Sequence, residues 1–280
     1  MKYIKIKNNK KISLKKFLKE NYISMRAYQE LLKNGIYLND KLLFKNVDLV
    51  AGDVVKIKIE EENLDYEPIK GNLDVIFEND NILVINKPSG ITVNSKNQIN
   101  LSNFIAYYFH ESNIKAKIRL VNRLDMNTSG LMMIAKNKYT HAYYQKQLEE
   151  NRIIKKYLAF VNGILEINRL FKIKLTYDEN TKTYRENKKG KEAITKFKTL
   201  ECNKKHSIIE CDIKTGKTHQ IRASLANLGY PIIGDDLYGS EYKMDRFLLH
   251  SYHLEFFEFA SQETIILENF PYFKPFLMNL

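Results

Sequence analysis

The chain has 280 residues, 44% of them hydrophobic, and a formal net charge of +12. That length and apolar content supply a real core in one large domain, or in a small unit plus a larger one. The basic excess points to a polyanionic partner, most commonly nucleic acid, although ordinary solvated lysines give the same total. The longest apolar run, Phe104 to Phe109, is far too short for a spanning helix, so no membrane association is expected. The two cysteines, Cys202 and Cys211, form no Cys-x-x-Cys pair and no zinc spacing, and read as buried thiols of a cytoplasmic protein. No phosphate-cradling glycine loop, dinucleotide fingerprint or His-Glu-x-x-His motif is present.

Residues 1–62 carry 14 Lys and Arg against 8 Asp and Glu, half of the net charge. The first residues have no apolar core of a signal peptide. Ser13 suits a helix N-cap, followed by Leu14, Phe17 and Leu18 at helical spacing. A second helix is predicted after Ser24, with Ala27, Leu31 and Leu32 inward and Asn34-Gly35 as its stop. Strands follow at 36–38, 42–44 and 54–59, the last alternating Val55, Ile57 and Ile59 with Val54, Lys56 and Lys58. Residues 61–71, acidic and containing Pro68 and Gly71, read as a flexible linker that tethers a larger domain.

In the remainder, 75–77 and 82–85 flank a polar turn and predict a hairpin. Asn86-Lys87-Pro88-Ser89-Gly90 is a tight loop in which Lys87 could face a phosphate, or a plain turn. Helices are predicted at 101–110 and 138–151. Between them, the polar stretch 121–130, centred on Asp125, leads into the apolar run Leu131 to Ala135, whose length fits a strand buried on both faces. A core strand would hold Arg123 and Asp125 in fixed positions, as a reacting carboxylate requires. A turn-capping aspartate and a surface arginine fit the same residues. A strand at 155–163 puts Tyr157, Ala159 and Val161 on one face, lining a pocket or a core. Residues 178–192 read as an exposed polar hairpin loop, and 193–197 and 207–213 as strands. Thr218 suits an N-cap and Gly229 a C′ residue, with Ile221, Leu225 and Leu228 as the apolar stripe between them. His219 and Arg222 share an adjacent face, where an arginine needs a carboxylate partner. Segments 248–250 and 254–256 read as a last strand pair.

Two resemblances emerge. Phe17-Leu18, Ile23-Ser24-x-Arg26, Leu32-x-x-Gly35-Ile36-x-Leu38-Asn39 and Gly52-Asp53-x-Val55 resemble the αL RNA-binding domain first seen in a small-subunit ribosomal protein. That resemblance implies an RNA-binding unit at 1–60, with Lys15, Lys16, Lys19, Arg26 and Lys33 as contacts to the RNA backbone. In the rest of the chain, Asn86-Lys87-Pro88-x-Gly90, Arg123-Leu124-Asp125-x-x-Thr128-Ser129-Gly130-Leu131, Lys156-Tyr157-x-Ala159, Thr215-Gly216-x-Thr218-His219-Gln220-Ile221-Arg222 and Gly234-Asp235-x-x-Tyr238-Gly239 occur in order. They resemble the pseudouridine synthases of the large-ribosomal-subunit type.

The second resemblance implies an α+β fold, with a mixed, mainly antiparallel sheet at 72–280. It implies isomerisation of uridine to pseudouridine in structured RNA, most fittingly ribosomal RNA, by a monomer without cofactor or metal. It makes Asp125 the catalytic carboxylate, Tyr157 the tyrosine beside the target base, Arg222 the partner of Asp125, and Arg123 the residue that helps displace the flipped nucleotide. Lys87, Lys217 and His219 are expected RNA contacts. The sequence departs from the family at Asn122, where histidine is common, and at Lys217, where arginine is common and its bidentate fork is lost. The alternatives are a non-catalytic RNA-binding or ribosome-assembly factor on the same fold, and an N-glycosidase that releases uracil.

Overall fold

The computed structural model describes residues 2–95 and 98–271; residues 272–280, at the end of the predicted second unit, lie outside them. The N-terminal unit runs β1 (Lys2–Lys7), β2 (Ile12–Ser13), α1 (Leu14–Glu20), α2 (Met25–Asn34), β3 (Ile36–Leu38), β4 (Lys41–Leu42), β5 (Asp48–Leu49) and β6 (Val54–Ile59). Both helices start where a serine oxygen can take an orphan backbone proton: Ser13 Oγ accepts from Lys16 N–H and Ser24 Oγ from Ala27 N–H. A four-stranded sheet in the order β1-β6-β3-β4 closes the unit, with Ile4, Ile6, Val55 and Ile57 buried. β1 lies outside the predicted strands, and the alternation of Ile4 and Ile6 with Lys5 and Lys7 was its signal.

The rest of the chain builds one sheet. In sequence order it comprises β7 (Asp74–Glu78), β8 (Ile82–Lys87), α3 (Leu101–Glu111), β9 (Arg119–Leu120), β10 (Ser129–Ala135), α4 (Lys138–Glu149), β11 (Ile154–Asn162), β12 (Asn168–Asp178), β13 (Thr183–Glu186), β14 (Lys191–Cys202), β15 (His206–Ile213), α5 (Gln220–Asn227), a 3-10 turn at Asp236–Tyr238, β16 (Leu249–Phe257) and β17 (Thr264–Glu268). The spatial order is β13-β12-β14-β15-β11-β16-β10-β8-β7, with β9 added on β10 and β17 on β16. All of these pairs are antiparallel except β10 with β16. This is the α+β, mainly antiparallel architecture that the resemblance implies.

β10 is buried along its whole length, because both faces of the sheet are covered there. Leu131 and Met133 pack with α4 residues such as Tyr139 and Tyr143, whereas Met132 and Ile134 pack with α3 residues such as Ile105 and Phe109. Burying each such side chain contributes about 1.5–3 kcal/mol. Gly130 opens the strand at φ +113, and a Cβ there would lie 2.2 Å from the Ser251 carbonyl of β16. Only glycine allows this approach of the two parallel strands.

Several expectations change. Residues 249–250 and 254–256 belong to the single strand β16, which pairs with β17 as well as with β11 and β10. The predicted exposed loop at 178–192 contains β13, which pairs with the unanticipated long strand β12. Cys202 is exposed, while Cys211 is buried as expected. Segment 60–71 forms no strand or helix, but it is not a loose tether. Glu60, Glu61 and Glu62 pair with Lys138, Lys115 and Arg119, and Asp65 accepts the Ile118 N–H. Leu64 and Tyr66 pack on the second core, so apolar contact adds to the ion pairs.

Candidate active site

Asp125 sits in the loop between β9 and β10, and the Asn86–Gly90 loop fastens it from below. The Lys87 ammonium is fully buried and donates to the carbonyls of Pro88, Met126 and Thr128 at 2.8, 2.8 and 2.9 Å. Ser89 Oγ donates to Asn127 O, and Gly90 N–H donates to Met126 O. Lys87 therefore does not face RNA as expected; it solvates the backbone of the Asp125 loop. Burial pulls its pKa down to about 7, Arg246 adds to this, and Asp125 opposes it. Asn122 Oδ1 accepts the Met133 N–H at 2.8 Å and ties the head of the loop to β10.

Across the cleft stands α5. Its first turn begins one residue later than predicted: His219, at φ +54, occupies the N-cap position without a capping bond. Gln220 ties the preceding loop down, accepting from Thr215 Oγ1 and Lys217 N–H and donating to Ile194 O and Thr195 Oγ1. The helix closes as predicted at Gly229, with Tyr230 N–H bonded to Leu225 O and Gly229 N–H to Ala226 O.

Arg222 is buried, and its guanidinium is held in a fork by Asp235, at 2.7 and 2.8 Å. The third nitrogen, Nη1, lies 3.6 Å from Asp125 Oδ2. The demand for a carboxylate is thus met twice, and the tighter partner is Asp235 rather than the expected Asp125. Burial alone would lower the Arg222 pKa, but the Asp235 bonds and the two nearby carboxylates raise it. The guanidinium also stacks over Phe247 and Tyr238, with centroid distances of 4.3 and 4.9 Å.

His219 Nε2 lies 3.9 Å from Asp125 Oδ2, and its Nδ1 lies 3.0 Å from the Tyr238 hydroxyl. The same hydroxyl accepts the Tyr184 backbone N–H. Burial, aided by Arg222 and opposed by Asp125 and Asp235, lowers the His219 pKa, which favours the neutral imidazole. Tyr157 closes the opposite wall. It is buried on β11, and burial chiefly raises its pKa, with a smaller push from Asp125. Asp125, Tyr157, His219 and Arg222 line a cleft of about 570 Å³, with Arg123 and Lys217 exposed on it. One carboxylate faces a fixed cation, with an aromatic ring beside it. That arrangement can stabilise charge at a sugar and hold a planar base.

The RNA pseudouridylate synthase family model matches residues 81–227. The chain belongs to the RNA pseudouridylate synthase family. It is 35% identical to the RNA pseudouridine synthase YhcT of Bacillus subtilis, over 83% of this chain and 80% of the relative. It is 30% identical to ribosomal large subunit pseudouridine synthase D of Neisseria meningitidis, over 89% of this chain and 72% of the relative. Ribosomal large subunit pseudouridine synthase C of Buchnera aphidicola is 31% identical, over 93% and 90%. Human RNA pseudouridylate synthase domain containing 1 shares the fold at TM-score 0.62 and 24% identity, over 74% of this chain and 86% of that one. The protein is an RNA pseudouridine synthase, an isomerase.

In the synthase, Asp125, Arg123, Tyr157, Arg222, Lys217 and His219 all line one cleft. Lys87 lies beneath it. Lys15, Lys16, Lys19, Arg26 and Lys33 are exposed on α1 and α2, away from the cleft lining, with Arg26 3.4 Å from Glu30. Two site residues went unassigned by the sequence reading: Asp235, which holds Arg222, and Tyr238, which holds His219. Both stand in the Gly234-Asp235-x-x-Tyr238-Gly239 stretch, where the turn residues masked their charge and hydroxyl. Among the described residues no group of His, Cys, Asp or Glu is arranged to hold a metal ion.

Proposed function

We propose that the synthase isomerises specific uridines of large-subunit ribosomal RNA, with Asp125 as the reacting carboxylate and the target base flipped into the cleft. One observation carries this reading: the Asp125 carboxylate, 30% exposed, lies 3.6 Å from a buried arginine that a second carboxylate holds in place. The exposed edge leaves room for a sugar, while Arg222 offsets the charge that Asp125 would otherwise bear alone. Asp125 either adds to the anomeric carbon or removes a sugar proton. In both routes the N-glycosidic bond breaks and the uracil turns. Its carbon 5 then bonds to the anomeric carbon, displacing the Asp125 ester in the first route or adding to the sugar double bond with return of the abstracted proton in the second. Carbon 5 loses its proton while N1 gains one.

The base must leave its stack to reach Asp125, and Arg123, exposed on the cleft with no bonded partner among the described residues, suits the vacated space. Tyr157 offers its ring to the turning uracil. Ribosomal RNA is favoured because the Neisseria and Buchnera relatives are named for the large ribosomal subunit. The basic helices α1 and α2 support the same substrate, as an αL-type unit laid along folded RNA.

The test is mass spectrometry of carbodiimide-labelled RNA after incubation with wild type and Asp125→Ala. New labelled uridines with wild type, and none with Asp125→Ala despite retained RNA binding, are expected. Abasic sites would instead mean base release. RNA binding without modification would mean an assembly factor, and full activity of Asp125→Ala would remove Asp125 from its role.

A further inference from the structure

Lys155 stands on β11 two residues before Tyr157, and both side chains line the catalytic cleft. The β11–β16 register shifts between Lys156 and Tyr157, so a bulge sits at this point of the wall. Bulges of this kind re-aim side chains beside functional sites. Lys155 is partly buried, and Ile153 and Leu148 line the same cleft. Its ammonium has no hydrogen bond and no ion pair among the described residues, yet its Nζ is not sealed from the cleft.

Of the other cations on this cleft, Arg123 and Lys217 are exposed to solvent and two more carry a carboxylate partner. Lys214 is paired with Asp212, and Arg222 with Asp235. Glu149, the carboxylate on the Lys155 wall, is taken by Lys146. Burial is the sole cause that lowers the Lys155 pKa, to about 8; no carboxylate, Asp125 included, acts on it. A cation withdrawn from water without a counter-charge is unfavourable, so its persistence in a cleft calls for an anion brought by the ligand.

We propose that Lys155 is a phosphate-binding residue of the synthase, which receives the phosphodiester of a nucleotide flanking the target uridine and so seats the flipped base between Tyr157 and Asp125. The inference rests on the function proposed above. RNA carries an anion at every nucleotide, and the cleft beyond Tyr157 is where the chain must run once one base is extruded. An ammonium there acts as a point charge on any sequence, positioning the strand without reading it.

The test compares Lys155→Met, Lys155→Arg and the parent protein on an unmodified large-subunit ribosomal RNA transcript. Binding is measured across a KCl series in an Asp125→Ala background, and turnover is measured with Asp125 intact. Lys155→Met should weaken binding about tenfold near 0.1 M salt and reduce the slope of log K against log salt by about 0.7–0.9, the loss of one phosphate contact. The loss should fall on KM far more than on kcat, and Lys155→Arg should restore the slope. Thermal melting of free Lys155→Met should match or exceed that of the parent, because an uncompensated charge is removed. Unchanged affinity and slope would overturn the proposal. A fall in kcat at unchanged affinity would also do so, by moving Lys155 to the reacting base, and so would a loss of stability, by making it a structural group. A parent protein that binds this RNA but forms no pseudouridine would sink the proposed function and leave the slope comparison intact.

Discussion

At Asp235 a single carboxylate decides whether the site exists. It is 1% exposed, and its fork on Arg222 fixes a guanidinium that would otherwise be a buried, half-paired charge. Asp235→Ala removes one partner of a buried pair and should destabilise the fold by about 3–5 kcal/mol. Arg222 would also lose its aim at Asp125, and displacement of about 1 Å at such a site costs roughly 10²-fold in rate. Urea unfolding and single-turnover pseudouridine formation measure the two effects. A stable, fully active variant would show that Asp125 alone orders the arginine. Lys87 makes a second prediction, through pH. Its pKa falls from the ordinary 10.5 to about 7 on folding, so between those values the unfolded chain binds more protons than the folded one. Stability from this group is therefore full above pH 10.5 and is lost as pH falls through 7. Lys87→Met should flatten the rise in stability between pH 7 and 10, read from urea midpoints. An unaltered slope would assign the proton to another group.

Among the elements, β10 is the one whose exact path the site depends on. Gly130→Ala would put a methyl group 2.2 Å from Ser251 O and force an L side chain to φ +113. The dihedral alone costs about 1–3 kcal/mol, and the clash must part β10 from β16 at the base of the Asp125 loop. Gly90→Ala is the control, since at φ +86 it pays only the dihedral and meets no atom within 4 Å. We expect Gly130→Ala to lower both melting temperature and turnover well beyond Gly90→Ala; equal effects would mean that the strand approach is not critical. β10 was legible in the sequence because five apolar residues in a row, closed by Lys136, have no other stable home than a doubly covered strand. Tyr157, Ala159 and Val161 were legible by their two-residue period, and all three join one core. β12 was missed although Phe171, Ile173 and Leu175 alternate with Lys172 and Lys174. The role of Asp235 was not legible at all. An arginine can pair with two carboxylates at once, and charge balance cannot rank Asp125, 97 residues before it in the chain, against Asp235, 13 residues after it. Lys87 failed for a related reason: a lysine beside Pro and Gly looks exposed, and only the fold reveals three carbonyls converging on its ammonium.

The largest consequence concerns how the two units move together. The acidic segment 60–71 suggested a loose tether, which would deliver RNA only by raising its local concentration. Instead the N-terminal unit is docked on the catalytic one. The Tyr22 ring lies 5.7 Å from that of Tyr143 on α4, its hydroxyl donates to Glu150, and Arg152 covers its face. Asn21 Oδ1 accepts from Gln262, and Lys138 reaches Glu60. Exposed ion pairs of this sort contribute little by themselves, so the ring contact is the part that matters. A docked unit fixes the distance between the basic helices and the cleft, which sets how far along an RNA the contacted backbone lies from the target uridine. It also couples unfolding, because a domain that shares buried contacts melts with its neighbour. Tyr22→Ala should therefore lower stability by roughly 1–3 kcal/mol, the usual range for losing a partly buried contact, and split one calorimetric transition into two. It should also broaden the set of uridines modified, since the basic helices would then float relative to Asp125. Calorimetry and pseudouridine mapping on the same RNA read both effects. A single unshifted transition with an unchanged map would restore the loose tether.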